Sequence, residues 1–271
     1  MSGKIGTLDV PHHTRGLKPA STASKRDILG VKVSVFTRSQ AIAHIENTIA
    51  MNVFRPYAFL NAHGANLAFA NAEFKACLNR STVLSDGIGV DLGSRVLYGD
   101  AFPDNLNGTD FIPDLMGAMS KPMLVHMIGG QPGVAEDAAA ALQEAHPHHR
   151  FKVIRDGYFK EHETADVLEA LAQERADIVL VAFGNPKQEL WISKHMTEAH
   201  GKAVFGVGAL FDFLGGRVPR APRLMIALRI EWLYRLSIEP RRMWRRYVLG
   251  NPAFLARILG QKLFGRRHKG S

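Results

Sequence analysis

The 271-residue sequence predicts an α/β protein: a Rossmann-like doubly wound sheet with a basic helical appendage at its C-terminus. Three observations predict it. Strand-like apolar runs alternate with helix-like stretches from Ile28 to Val207, the pattern of a parallel sheet covered by helices on both faces. One run, Asp177 to Phe183, is almost wholly apolar, as a central parallel strand is. Past residue 216 the charge changes character. Residues 217–271 hold fourteen Lys/Arg against two acids, which leaves residues 1–216 with twenty bases and twenty-three acids out of totals of 34 and 25. A slightly acidic body with a strongly basic tail points to phosphates, nucleic acid or an anionic membrane face.

Taken in order, residues 1–27 read as a flexible N-terminal arm, rich in Gly, Pro, Ser, Thr, His and Lys, with no secretory signal. The core spans residues 28–216. Ile28 to Phe36 alternates and reads as one strand, followed by a helix from Ser39 to Ala50. Tyr57 to Asn61 reads as a strand and Ala65 to Leu78 as a helix; Thr82 to Leu84 is a strand and Val90 to Tyr98 its helix. After a polar loop, Thr109 opens another helix, with Thr109 or Asp110 as its cap. The second half repeats the alternation: strands at Met123–Ile128, Phe151–Arg155, Asp177–Phe183 and Ala203–Val207, with helices at Val134–Glu144, at Glu161–Glu174 and from Pro186, a favoured first helical residue. In the appendage, residues 217–271, Pro240 interrupts two helical runs. Asn251-Pro252 reads as a helix start, with Phe254, Leu255, Ile258 and Leu259 on one face.

Composition excludes some classes. Cys77 is the only cysteine, so no intrachain disulfide forms. No run of about 18 apolar residues is present to span a membrane. There is no Asp-x-Asp to hold a divalent cation on a diphosphate, and His146, His148 and His149 lack a matching acid or cysteine cluster, so no metal and no cofactor is expected.

The chemistry gathers at strand ends. Ser85-Asp86-Gly87-Ile88-Gly89 follows a strand and opens a helix. That places Asp86 at the carboxyl edge of the sheet, where open α/β sheets bind ligands; capping of the next helix by Asp86 is the plainer alternative. Asn61 and His63 end another strand, where they can hydrogen-bond a sugar or phosphate or simply form a turn. Asn107-Gly108-Thr109-Asp110 is a polar pre-helix loop. Gly129 to Gly133 is neither a dinucleotide fingerprint nor a Walker loop. Gly184-Asn185-Pro186-Lys187-Gln188-Glu189 opens a helix whose free N–H groups favour anions. Asp212 lies among apolar residues and needs a partner, for which Arg217, Arg220 and Arg223 are candidates.

These stretches, in this order, resemble the WecG/TagA/CpsF glycosyltransferases (glycosyltransferase family 26) from about Ile28 to Leu249. They are joined by Gly157-Tyr158-Phe159, Gly206-Val207-Gly208, Arg220-Ala221-Pro222-Arg223, and Glu231 to Leu236 with Glu239-Pro240-Arg241-Arg242. Asn61-Ala62-His63 and Asn105 to Asp110 are similar to the GumM-like branch. The resemblance implies an inverting, metal-independent enzyme on the cytoplasmic face of the cell membrane. It would move a sugar from a UDP-sugar to a polyprenyl-diphosphate-linked saccharide. By resemblance Asp86 is the general base, and Arg235, Arg242 and Arg245 are tail arginines that reach the site. The implied substrate-binding residues are Asn61, His63, Gly87, Asn107, Thr109, Asp110, Tyr158, Gly184, Gln188 and Asp212. Phe59 and Asn105 depart from the pattern of other branches, so N-acetylmannosamine is not carried over as donor; the GumM-like branch favours glucose.

Two other readings compete. An oxidoreductase needs a glycine fingerprint with an acid about 20 residues on, and this pair is absent. A nucleic-acid-binding tail would use arginines interleaved with Trp232, Tyr234, Trp244 and Tyr247, but the body is not basic, so no nucleic-acid partner is expected. The oligomeric state, homo-oligomer included, is open at this stage.

Overall fold

A computed structural model of the chain describes residues 24–222, 224–225 and 230–265. Most of the N-terminal arm, Arg223, Arg229, the Arg242 side chain and the last six residues lie outside the described set.

One eight-stranded sheet organises the molecule, in the order β1-β2-β4-β3-β8-β7-β5-β6. The strands are β1 (Lys25–Ile28), β2 (Val31–Ser34), β3 (Arg55–Leu60), β4 (Thr82–Ser85), β5 (Leu124–Gly129), β6 (Arg150–Arg155), β7 (Ala176–Ala182) and β8 (Gly201–Gly206). All pairings are parallel except β1 with β2. The single strand expected from Ile28 to Phe36 is therefore a hairpin that begins inside the expected arm. Leu29 and Gly30 both take positive φ (54° and 86°), the backbone of a tight two-residue hairpin turn that glycine adopts without strain.

Helices α1 (Arg38–Ala50), α5 (Gly108–Ala118), α6 (Val134–Ala145) and α9 (Leu210–Leu214) cover one face. Helices α2 (Ala62–Ala70), α3 (Ala72–Arg80), α4 (Ile88–Tyr98), α7 (Thr164–Gln173) and α8 (Lys187–His195) cover the other. Strand side chains alternate between the two layers: Tyr57 and Phe59 face the first, Ala58 and Leu60 the second. This is the doubly wound α/β fold the sequence predicts.

Local chemistry explains where boundaries differ from expectation. The helix expected over Ala65–Leu78 is two, because the Asn71 side chain accepts the Phe74 N–H and starts α3 anew. Asn107, not Thr109 or Asp110, caps α5. Pro186 precedes α8 as its cap residue instead of occupying its first turn.

Past the sheet come α10 (Glu231–Ile238), α11 (Pro240–Trp244), a π-helical turn (Arg245–Leu249) and α12 (Gly250–Gly265). Asn251 and Pro252 lie inside α12. Phe254 and Ile258 are fully buried where α12 packs on α2 and α4, whereas Leu255 and Leu259 are exposed, so the four apolar residues do not share one packed face. At Gly93 of α4 an added Cβ would sit 2.9 Å from the Phe254 ring, so glycine is what lets α12 approach this closely.

Candidate active site

The chain crosses from β4 to β5 through α4 and α5, and this reversal opens a crevice at the carboxyl ends of the central strands. A cavity of about 1110 Å³ fills it. Its floor comes from the ends of β3, β4, β7 and β8, and its roof from Ile230–Trp232, Arg235 and the π-helical turn.

Asp86 leaves β4 with its N–H donated to the Leu60 carbonyl (2.9 Å). Asn61 Nδ2 donates to Asp86 Oδ2 at 3.0 Å, while Asn61 Oδ1 accepts the Gly64 N–H at 2.9 Å. The cap of α2 thus fixes the amide that holds the acid. Gly87 is at φ 86°, and its N–H is pinned by Asn105 Oδ1 at 2.7 Å. Burial pushes the Asp86 carboxyl above its ordinary value; the Asn61 hydrogen bond and the Arg246 and Arg235 guanidiniums pull it back, and Asp110 adds to the rise.

His63 lines the same cavity. Burial, with Arg246 nearby, pushes its imidazole down to about 4, so it is neutral at physiological pH. Asn107 Oδ1 accepts the Asp110 N–H, and its Nδ2 donates to Asp110 Oδ2 (2.8 Å). Asp110 also pairs with Arg220. Arg235 lies over the Phe213 ring, 5.1 Å from its centroid. The buried Nε atoms of Arg235 and Arg246 have no hydrogen-bond partner among the described residues.

Of the residues singled out in the sequence, the cavity brings together Asn61, His63, Asp86, Gly87, Asn107, Thr109, Asp110, Gly184, Gln188, Arg235 and Arg245. Tyr158 is not among them: it is 69% exposed beyond the edge strand β6. Asp212 sits on α9, outside the lining. Two arginines considered as its partners are engaged elsewhere, Arg217 with Asp137 and Arg220 with Asp110. The cavity adds Arg246, Glu231 and Asn105. Arg246 is half-buried and acts on both Asp86 and His63, while Arg245 is more exposed. A π turn carries one extra residue and resets the helical phase; no residue type announces it.

The acid, the amides and the cationic roof line one cavity, with charges and hydrogen-bonding groups that could meet an anionic, hydroxyl-rich ligand. The family comparison decides its class: residues 26–268 match the model of the glycosyl transferase WecG/TagA/CpsF family. The chain belongs to this family. Membership makes this WecG/TagA/CpsF member a glycosyltransferase of cell-surface polymer synthesis. No helix among the described residues is long and apolar enough to cross a membrane.

Proposed function

We propose that this glycosyltransferase inverts the anomeric centre as it moves a hexose or N-acetylhexosamine-type sugar from UDP to a polyprenyl-diphosphate-linked saccharide, in surface or exopolysaccharide synthesis. The observation that carries the reading is Asp86, oriented by Asn61 beneath the two unpartnered guanidinium Nε atoms of Arg235 and Arg246.

The chemistry follows from the groups. Asn61 engages Oδ2, which leaves Oδ1 to accept a proton from the acceptor hydroxyl. That oxygen attacks the anomeric carbon from the face opposite UDP, and the departing diphosphate gains negative charge. Guanidiniums are suited to meet that charge with paired donors, and this reading gives that role to Arg235, Arg242 and Arg245 and adds Arg246. Neutral His63 offers one donor and one acceptor to a sugar or phosphate. The cavity exceeds the roughly 300–1,000 Å³ of a typical small-ligand site, which suits two substrates at once. The basic helices past residue 216 would hold the enzyme on the anionic inner face of the membrane.

The test is transfer by purified protein over a panel of UDP-sugars and lipid-linked acceptors, with the product anomer read by NMR. Transfer from a UDP-sugar with inversion is expected. Transfer only from a different nucleotide class, or with retention, would overturn the reading.

A further inference from the structure

We infer that Glu189 is a positioning residue: through Gln188 and Asn185 it sets the spacing of the loops that follow β7 and β8 on the floor of the active site. The inference rests on that cavity being the transfer site.

Gln188 works as a staple. Its Oε1 accepts the N–H of Gly184, just after β7, at 3.1 Å, and that of Gly208, just after β8, at 3.0 Å. One amide oxygen thereby ties two loops of the floor. It is spent on protein and has little left for a substrate. Gly206 makes room for the staple, since a Cβ there would lie 2.8 Å from Gln188 Nε2.

Glu189 holds the staple in register. Its Oε1 accepts from Gln188 Nε2 at 2.8 Å and from Asn185 Nδ2 at 2.6 Å. A carboxylate oxygen there fixes both amides in one flip state, because each must present NH₂ to it. Gln188 and Glu189 are 2% and 4% exposed, so water cannot replace these bonds. Glu189 itself does not line the active-site cavity; Gly184, Asn185, Gln188 and Gly208 do. It lines a smaller space behind, of about 310 Å³, shared with Tyr57 of β3 and Cys77 and Arg80 of α3. Arg80 is the cation facing that space, and it bonds to Ser193 Oγ (2.8 Å). Glu189 Oε2 has no hydrogen-bond partner among the described residues.

Such a carboxyl is costly to ionise. Burial pushes it up to about 7, and the Gln188 amide pulls the other way. The staple therefore changes from neutral to charge-assisted within the working pH range, and charge-assisted bonds are roughly twice as strong.

The experiment follows the side-chain amide NMR signals of Gln188 and Asn185 in ligand-free, full-length protein between pH 5.5 and 8.5. A shared titration with a midpoint near 7 is expected in the wild type and its loss in Glu189→Gln. In transfer assays Glu189→Gln, which keeps an acceptor oxygen but never a charge, should match the wild type well below the wild-type midpoint and lose about tenfold in kcat/KM above it. It should also lose the wild-type pH step near 7, without a lower Tm. Wild-type amide signals that do not titrate would overturn the inference, as would a folded Glu189→Gln variant with unchanged kcat/KM and pH profile. Titrating amides in a protein that transfers no sugar would support the staple and overturn the donor and acceptor assignment instead.

Discussion

At the scale of single residues, the carboxyl groups in and behind the candidate active site differ in their surroundings. Asp86 is open to the cavity and balanced between burial and two guanidiniums. Asp86→Asn keeps its size and removes its basicity, so turnover should fall by about 10²–10⁴-fold while UDP affinity, read by calorimetry, stays close to wild type. Asn61→Ser keeps a capping residue on α2 but removes the donor to Asp86. That donor lowers the Asp86 pKa; without it the acid stays protonated to higher pH, and the acid limb of the kcat/KM profile should move upward. An unmoved limb would remove Asn61 from the role. Glu189 makes a separate statement about stability. Its folded pKa, about 7, lies above its ordinary value of 4.5. The folded state therefore holds the proton more tightly, and stability falls as pH rises from about 4.5 through 7. The gap corresponds to about 3 kcal/mol. Denaturant titrations at pH 5 and pH 8 should show this loss in the wild type and most of it gone in Glu189→Gln.

At the scale of elements, sequence periodicity identified most of the sheet because the strands that matter are short apolar runs ending in a polar residue or glycine. Asn61, Asp86 and Gly184 were placed at strand ends by that rule alone. The misplaced boundaries share a cause: side-chain caps and left-handed turns are local choices that periodicity does not register. Asn71 divides α2 from α3, Asn107 starts α5, and Leu29-Gly30 folds one apparent strand into two. Arg246 is not legible in the sequence because the π turn that begins at Arg245 changes which side chains face inward relative to the preceding helix. Tyr158 rests on a matched motif only, and Asp212 stands out by its apolar neighbours but enters the pocket only by resemblance; no local pattern tells which strand will be an edge, because strand order is set by long-range pairing. The α4–α12 contact gives a test at this scale. In Gly93→Leu the side chain must enter space taken by Phe254 and Ile258. The overpacking should cost about 1–3 kcal/mol, against the ~1 kcal/mol gained by leaving glycine in a helix. A Tm equal to or above wild type would mean that α12 is free to move away.

At the scale of the whole molecule, the candidate active site lies at the carboxyl ends of the central strands and the C-terminal helices carry basic residues over it. Arg241, Arg245 and Lys262 are exposed on those helices. Changing Arg241 and Lys262 to Glu should weaken sedimentation with anionic vesicles by about 1 kcal/mol per charge removed, leaving Tm unchanged; vesicle binding indifferent to both changes and to salt would place the contact elsewhere. Point changes are the right instrument here, because α12 is part of the core. Gln261 accepts the Leu29 N–H at 2.9 Å across 232 residues of sequence, and its amide donates to the Asp27 carbonyl at 3.1 Å. This bond has a meaning for synthesis on the ribosome. The β1–β2 hairpin waits for α12 before its Leu29 N–H is satisfied. Folding in the order of synthesis therefore leaves this edge of the sheet unfinished until Gln261 has been made. A message cut short before codon 254 would yield a chain with an unfinished edge, open to proteases.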